Sequence, residues 1–432
     1  MRRALPPPGR LAPASVPALA LVLALALPLR PAMALEPQVT GFPAPAVPAA
    51  RDFPIMSWDQ TPGDDAQLRG MREAGLNVGG FCRATDIPRV RAAGLSCLLV
   101  DPAIGAFDLR AVPDAAAVHA TLARIAGDVP ADGTVLGLFL NDEPQSAQLP
   151  ALGALVLGVR RQLPGVLPFV NLFPYREGQR EWYADYETYV RALANAGAPF
   201  LSFDNYALSY AGMGDDFFNN LELVRKVALE KGIPFWACLQ AVAHFGYLEP
   251  SDATLHLQVW SALAYGARGI EYFTYFTPQR GNYRLGAIDT FGQRTATWDA
   301  LRRVNGELAA LAPLLLQLRS TGVYHFPDVP VHGRPLAEST LLRHVDMAKD
   351  EDGFVPPSVQ ARFLVGEFRD ARGRDYLMIV NKDLAHSFQF ELDFRREVRA
   401  TFRINPYTGQ EEPMGFEQNW IAPGGGVLMR VE

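Results

Sequence analysis

The residues best placed to do chemistry are Asn141, Asp142 and Glu143, which with Pro144 directly follow the apolar run 135–140. This run is short and bounded by turn signals, so it is predicted to be a buried strand. Polar side chains at the carboxyl end of such a strand add nothing to packing, but in a parallel α/β barrel this end carries the active site. A carboxylic acid held partly out of water there has a raised pKa and can act as a general acid. We therefore expect Glu143 to be a catalytic acid.

Polar and aromatic side chains also end most of the other predicted strands, and Asp204 is the carboxylate that ends the sixth. Sugar hydrolysis uses one acid to protonate the leaving oxygen, a second carboxylate, and flat aromatic faces that stack on sugar rings. This set of side chains predicts a carbohydrate substrate. The predicted substrate contacts are Trp58, Asp59, Asn141, Asp142, Asn171, Tyr206, Trp236, Gln240 and Tyr275, of which Trp58, Tyr206, Trp236 and Tyr275 would be the sugar platforms.

Several of these residues have a simpler reading that the sequence leaves open. Asp142 can orient Glu143 without taking part in the reaction, because supporting groups commonly flank a reactive one. Tyr206 and Tyr275 can equally be aromatic residues of a barrel core.

The elements that must position these residues alternate between strand and helix from residue 51 to residue 321. Eight strand–helix units over about 270 residues predict a (β/α)8 TIM barrel, and the count of eight favours a closed barrel over a doubly wound open sheet. The predicted strands are 54–58, 77–81, 96–100, 135–140, 167–171, 199–204, 234–240 and 269–275. The predicted helices are 64–74, 87–93, 114–125, 152–162, 186–194, 219–229, 253–265 and 305–318.

The pattern changes in residues 322–432, where helical periodicity is absent and short strand-like segments are separated by turn signals. Such a pattern is typical of a small antiparallel β-sandwich. The predicted strands here are 361–368, 376–380, 388–394, 401–404 and 426–431.

The first fifty residues are not predicted to belong to the fold. Residues 1–34 combine early arginines, an apolar stretch and Ala32-Met33-Ala34, which is the pattern of a secretory signal peptide cleaved after Ala34. The apolar stretch is shorter than the roughly 20 residues a membrane anchor requires. Residues 35–50, rich in proline and alanine, are predicted to be a tether. We expect a secreted or periplasmic protein without a stable membrane span after cleavage.

Charge and cysteine content narrow the partners further. The net charge of −6 over 432 residues shows no basic excess, which argues against a nucleic-acid partner. The three cysteines suit small buried apolar positions, and Cys82 and Cys97 fall on neighbouring predicted strands, where a disulfide is one alternative. No His and Cys cluster has metal-ligand spacing, so neither a metal nor another cofactor is predicted. The sequence does not indicate an oligomeric state.

The barrel resembles the glycoside hydrolases of clan A, particularly proteins similar to the family 42 β-galactosidases. The resemblance is carried by residues 141–144 and by residues 258–275, which are similar to the last helix–strand unit of such proteins. It implies that Glu143 is the acid/base of a glycosidase that cleaves O-glycosidic bonds.

The chain departs from that family pattern at two places. Asp142 separates Asn141 from Glu143, and Gln240 stands at the end of the seventh strand, where the family has a nucleophilic Glu. A glutamine cannot form a glycosyl-enzyme intermediate, so the second catalytic carboxylate is expected to be Asp204 or, as second choice, Glu271. The alternatives are a degenerate barrel that only binds carbohydrate, and a lyase, against which the absence of a strand-end lysine counts.

Overall fold

The computed structural model describes residues 51–347, 360–415 and 419–432. The predicted signal peptide at 1–34 and the predicted tether at 35–50 lie outside these residues. Within them, no helix combines the length and the apolar character needed to cross a membrane.

Eight parallel strands form a closed barrel in which each strand pairs with the next along the chain and the eighth pairs with the first. This arrangement confirms the predicted (β/α)8 barrel and excludes the open sheet. The strands are β1 (Ile55–Ser57), β2 (Val78–Cys82), β3 (Ser96–Leu99), β4 (Val135–Asp142), β5 (Leu167–Leu172), β6 (Leu201–Asp204), β7 (Phe235–Gln240) and β8 (Ile270–Phe273).

Helices surround the barrel, and polar caps fix where several of them begin. In α1, α4, α6, α8 and α9 the residue before the first turn is Asp, Ser or Thr, whose side chain accepts a hydrogen bond from a backbone N–H of that turn. The helices are α1 (Asp65–Glu73), α2 (Ile87–Ala92), α3 (Pro102–Gly105), α4 (Ala115–Ala126), α5 (Leu149–Gln162), α6 (Tyr186–Asn195), α7 (Asp215–Lys231), α8 (Asp252–Ala264) and α9 (Ala296–Leu315).

Side chains of the barrel strands alternate between the helix layer and the barrel interior. In β5, Val170 and Leu172 belong to the core shared with the helices, whereas Phe169 belongs to the interior cluster and Asn171 follows in the same phase. The buried members of that interior cluster are Met56, Val78, Phe81, Leu98, Leu136, Phe169, Phe200 and Trp236. The lower interior is therefore apolar, and polar side chains occupy the interior only near the carboxyl ends of the strands.

Antiparallel sheets follow the barrel and confirm the predicted C-terminal β-sandwich. In pairing order, the six-stranded sheet consists of Arg319–Phe326, Phe363–Arg369, Asp375–Asn381, Gly426–Val431, Thr401–Ile404 and Glu411–Pro413. The three-stranded sheet consists of Leu342–Met347, Phe388–Phe394 and Trp420–Ile421. A second apolar cluster, which includes Phe363, Ile379 and Phe390, forms their own core.

A disulfide joins Cys82 at the end of β2 to Cys97 in β3, across strands that are neighbours in the barrel. The Cα atoms are 6.0 Å apart, within the usual range for a disulfide. Cys238 in β7 is a buried free thiol. Of the alternatives open from the sequence, the structure therefore has the disulfide.

Loss of this disulfide is expected to destabilise the protein by about 3 kcal/mol, the chain-entropy value for a closed loop of about 15 residues. The measurement is denaturant unfolding of the double variant Cys82→Ala/Cys97→Ala against the wild type. As a check on pairing, a thiol titration should find one free thiol in the denatured, unreduced protein and three in the reduced protein. Three thiols without reduction would show that the bond is absent.

Candidate active site

Four carboxylic side chains, Asp142, Glu143, Asp204 and Glu271, gather in the upper barrel interior. The β4–β5 register shifts between Phe139 and Asn141, and as a result Asp142 rather than Asn141 pairs with Asn171 on β5. None of the four carboxylates forms an ion pair with a lysine, arginine or histidine of the described residues. Neutral hydrogen-bond donors hold three of them instead, namely Asp142, Asp204 and Glu271.

Asn171 holds two of these carboxylates with one amide group. Its Nδ2 donates to Oδ1 of Asp204 at 2.9 Å and lies 3.2 Å from Oδ1 of Asp142. The hydroxyl of Ser202 lies 2.9 Å from Oδ1 of Asn171 and 3.0 Å from Oε1 of Glu271. A serine hydroxyl has one proton and can donate to only one of these oxygens at a time. A protonated Glu271 would donate to the serine in turn and complete the network.

Glu271 lies at the bottom of this network and is fully buried, with 0% of its surface exposed. Its Oε2 has no hydrogen-bond partner among the described residues. Burial, and to a lesser extent the charges of Asp204 and Asp142, raise the pKa of Glu271 to about 8. A side chain without exposed surface cannot touch a substrate, so the prediction of Glu271 as a catalytic residue is wrong. It supports the site through Ser202.

Asp204 ends β6 one layer above Glu271 and keeps 8% of its surface exposed. Burial raises the pKa of its carboxyl well above the ordinary range, and the nearby charges of Glu143 and Asp142 act in the same direction. Asp204 is thus deeply set but open to the space in which Glu143 lies.

Glu143 follows β4 with an unusual backbone conformation, φ +47°, in the left-handed region that non-glycine residues rarely adopt. Its N–H donates to the carbonyl of Asn171 at 2.8 Å, which holds this conformation in place. Burial first, and the charge of Asp142 second, raise the pKa of Glu143 to about 7, while Arg176 acts in the opposite direction. Backbone strain of this kind is concentrated at functional sites.

Asp142 is the most accessible of the four carboxylic residues and is exposed at the barrel mouth. The walls of the mouth still remove enough water from its carboxylate to raise its pKa, against the hydrogen bond from Asn171. Its neighbour Asn141 is half-buried.

Two of the predicted sugar platforms reach the barrel mouth. Trp58 is half-buried above the interior cluster, with its ring edge-on to Phe81 at 4.9 Å. Tyr206 is half-buried beside β7, with its hydroxyl 3.6 Å from Sγ of Cys238. Phe273 at the end of β8 lies 5.0 Å from the ring of Tyr206.

The other two predicted platforms, Trp236 and Tyr275, lie away from the mouth, and these predictions are wrong. Trp236 is 3% exposed and stacks on Phe200 at 4.1 Å in the lower interior. Tyr275 is 1% exposed and accepts a hydrogen bond from Nε1 of Trp298 at 3.0 Å, in the helix layer. Neither ring offers a face to a sugar.

Gln240 and Asp59 brace loops at the barrel mouth. Gln240 is 2% exposed and donates from Nε2 to the carbonyl of Leu248 at 2.8 Å, so it is not placed as a substrate contact. The carboxylate of Asp59 accepts hydrogen bonds from the hydroxyl of Ser57 at 2.5 Å and the N–H of Tyr275 at 2.8 Å. Burial raises the pKa of Asp59 to about 6. Asp59 thereby ties the end of β1 to the loop after β8.

Sequence reasoning missed four side chains at this end of the barrel: Ser202, His244, Phe273 and Tyr283. Ser202 could have been found, because it lies two residues before Asp204 and so shares its face of the strand. Phe273 lies two residues after Glu271 and follows the same rule. His244 and Tyr283 lie in loops, whose paths strand periodicity does not predict.

Comparisons with solved structures show the same fold in known proteins. A protein named as a glycoside hydrolase is 14% identical, with a TM-score of 0.50 over 88% of this chain and 92% of its own. A family 5 glycoside hydrolase from Bacteroides vulgatus ATCC 8482 is 13% identical, with a TM-score of 0.50 over 88% and 89%. A β-galactosidase from the psychrophilic Marinomonas ef1 is 13% identical, with a TM-score of 0.48 over 62% of each chain.

At these identities the likeness is one of fold and does not distinguish family 42 from other barrel families. The chain spans less than two thirds of the Marinomonas protein. No protein-family model matches the sequence. No curated protein matches it either.

Replacing Glu271 with glutamine should remove a specific pH dependence of stability. The native state holds the Glu271 proton up to about pH 8, whereas the unfolded chain loses it near the ordinary value of 4.5. Wild-type stability should therefore fall as pH rises between these values, by up to about 1.4 kcal/mol per pH unit from this group. Relative to the wild type, Glu271→Gln should gain stability steadily over that window.

The measurement is urea unfolding from pH 5 to pH 8.5, with Glu397→Gln, an exposed carboxylate, as the matched control. Curves for wild type and Glu271→Gln that stay parallel across the window would contradict a raised pKa at this residue.

Proposed function

We propose that this protein is a glycoside hydrolase in which Glu143 is the general acid and Asp204 the second catalytic carboxylate. The observation that carries the proposal is the group of four carboxyl side chains at the carboxyl ends of the barrel strands, without an ion-paired cation among the described residues. Its accessible members, the exposed Asp142 and the half-buried Glu143, lie at the same end of the barrel as the half-buried Trp58 and Tyr206.

The electrostatics of this site match the charge that develops during glycoside cleavage. The transition state resembles an oxocarbenium ion and carries positive charge on the sugar. An ionised carboxylate in a desolvated site without a neutralising partner stabilises positive charge more than water does. The same site would disfavour reactions that build up negative charge, which is an argument against a lyase that forms a carbanion.

Glu143 has the acidity that a general acid needs near neutral pH. With a pKa of about 7 it is largely protonated below neutrality and can still release its proton to a leaving oxygen. The raised pKa has a clear use in catalysis and none in passive sugar binding, so the hydrolase is favoured over a degenerate binding barrel.

Asp204, in its ionised form, is proposed to act on the anomeric carbon, either directly as nucleophile or by activating a water molecule. While Glu143 is protonated, one of the charges that raise the pKa of Asp204 is absent, so the two groups can share one proton with Glu143 as its holder. Its Oδ1 is fixed by Nδ2 of Asn171 at 2.9 Å, which leaves the other oxygen free to act. Asp142 accepts a weaker bond from the same nitrogen at 3.2 Å and raises the pKa of Glu143, so its proposed role is to keep Glu143 protonated.

We also propose that the protein is exported, to the periplasm or the outside of the cell. Supporting this are the signal-peptide pattern of residues 1–34 and the Cys82–Cys97 disulfide, since disulfides persist in oxidising compartments. Expression of the full chain in a bacterial host, followed by fractionation and N-terminal sequencing, tests this directly. A mature chain that begins at Leu35 is the expected result, and a cytoplasmic chain that keeps residues 1–34 would contradict it.

Glu143→Gln is expected to lower kcat/KM on natural glycans by about 100- to 10,000-fold, the usual contribution of general acid catalysis. Aryl glycosides whose leaving groups need no proton should be affected much less, because the acid is then dispensable in bond cleavage. In the wild type, activity should fall as pH rises through about 7, where Glu143 loses its proton.

The control for that experiment is Glu181→Gln, an exposed carboxylate on the loop after β5. It should keep wild-type activity and the wild-type pH profile. Unchanged turnover of natural glycans by Glu143→Gln would remove Glu143 from the mechanism.

Asp204→Asn is expected to abolish turnover of activated and unactivated substrates alike, since an amide can neither attack nor activate water. If Asp204 is the nucleophile, added azide should restore turnover and give a glycosyl azide with inverted anomeric configuration. If it is the base, the wild type should release the inverted sugar, as proton NMR of the first product would report. Near wild-type activity in Asp204→Asn would show that Asp204 is not the second catalytic carboxylate. Asp142→Asn would then be the next variant to measure.

A further inference from the structure

We infer that a row of aromatic rings on one rim of the barrel mouth binds further sugar residues of a linear glycan, so that the substrate is a polymer rather than a disaccharide. This row, here called the aromatic ladder, consists of Tyr206, Phe273, Tyr283 and Phe245. It packs on the ring of His244, which is 4% exposed and supports the row from below. The inference rests on the proposed function, because it assigns the substrate class of the same site.

The inner end of the ladder lies beside the carboxylates. The hydroxyl of Tyr206 is 3.6 Å from Sγ of Cys238, and Cys238 is the residue on β7 that pairs with Asp204 on β6. The ring of Tyr206 lies 5.0 Å from Phe273 and 5.8 Å from His244. A sugar ring cleaved at Asp204 would therefore have the next position along the chain over this aromatic group.

The outer end of the ladder leads into solvent. The ring of His244 is stacked on Tyr283 at 4.9 Å, with an interplanar angle of 6°, and lies 5.4 Å from Phe245. Tyr283 is half-buried, whereas Phe245 is 71% exposed. Tyr283 lies 6.3 Å from Phe273 and 6.4 Å from Phe245, so the ladder runs without a break from the half-buried Tyr206 near Asp204 to an open position at the rim.

The exposure and the backbone conformation of Phe245 are both unfavourable for stability, and packing does not explain them. An exposed phenylalanine forgoes the stabilisation that burial of a large apolar side chain provides. Its backbone also lies at φ +46°, and the neighbouring rim residue Leu285, which is 46% exposed, lies at φ +60°. Strained, exposed apolar residues at the mouth of a catalytic site are placed to contact a ligand.

Hydrogen bonds brace the rim that carries Phe245. The N–H of Phe245 donates to Oδ1 of Asn282 at 2.8 Å, and Nδ2 of Asn282 donates back to the carbonyl of Phe245 at 3.1 Å. The backbones of Ala243 and Arg284 exchange two hydrogen bonds, at 3.0 and 2.9 Å. These contacts join the loops after β7 and β8, so the aromatic surface is formed before a substrate arrives.

A third loop is tied into the same rim. Glu249, on the loop after β7, accepts hydrogen bonds from Nε of Arg284 at 2.8 Å and from the hydroxyl of Tyr210 at 3.0 Å. Tyr210 belongs to the loop after β6 and is 67% exposed. The ladder therefore has polar side chains along its edge, and a glycan with its ring hydroxyls needs such groups in addition to stacking.

The test compares Phe245→Ala and Tyr283→Ala with the wild type on linear oligosaccharides of increasing length, on the polysaccharide, and on an aryl monoglycoside. The control is Phe291→Ala, which removes a phenylalanine that is 85% exposed on the loop after β8 but lies outside the ladder. Both ladder variants should raise KM for long chains about tenfold. They should leave kcat and the turnover of the aryl monoglycoside unchanged, and Phe291→Ala should resemble the wild type.

The inference would be overturned if the ladder variants lost as much activity on the aryl glycoside as on long chains. It would also be overturned if their KM did not depend on the length of the oligosaccharide. A Phe245→Ala phenotype limited to oligomeric state in size-exclusion chromatography would overturn it too, because the ladder would then be a contact between protein chains. Thermal unfolding of each variant is the control for a preserved fold.

Measurements of oligosaccharide binding distinguish failure of this inference from failure of the proposed function. If the wild type hydrolyses none of the glycans, the proposed function fails, and the ladder is then tested by calorimetric titration of Glu143→Gln with the same oligosaccharides. Length-dependent binding that is lost with Phe245→Ala but kept with Phe291→Ala supports the ladder. Absence of binding to every chain overturns it.

Discussion

The site depends on one constraint: several carboxyl groups share a space from which water is largely excluded, and no cation of the described residues pairs with them. Each charge there is costly, and each makes the next more costly, so protons are retained. This explains why the pKa of Glu143 is raised to about 7 and that of the deeper Glu271 to about 8. A general acid that works near neutral pH follows from the position of these side chains alone.

The barrel supplies this constraint through its layers. The lower interior is filled by apolar rings such as Phe169, Phe200 and Trp236, which are buried against one another below the carboxyl groups. Above them, Asn171 holds Asp204 and Asp142 with neutral N–H groups, which position the carboxylates without neutralising them. An arginine in the place of Asn171 would fix the same oxygens and lower their pKa values, and the acid would be lost. The register shift in β4 and the left-handed backbone of Glu143 complete this arrangement.

Much of this organisation could be predicted from the sequence, because it depends on local patterns. The buried run 135–140, which the structure extends to Asp142, the eight alternations and the final strand Gly426–Val431 follow from periodicity and turn residues. The depth of a residue in the barrel cannot be predicted in this way, because it depends on how each strand is staggered against its neighbours. Burial therefore speaks against Glu271 as a catalytic residue and against Trp236 and Tyr275 as substrate contacts. The last barrel helix begins at Ala296 rather than near 305, and its start is set by the capping side chain of Thr295.

The most direct test of the account is the titration of Glu143 itself, observed by NMR in protein labelled with 13C at the glutamate carboxyl and assigned by the loss of one signal in Glu143→Gln. The account predicts a midpoint of about 7, because burial and the charge of Asp142 outweigh Arg176. It also predicts opposite shifts in two variants: a lower midpoint in Asp142→Asn and a higher one in Arg176→Gln. A midpoint near the ordinary value of 4.5 that neither variant moves would contradict the central claim.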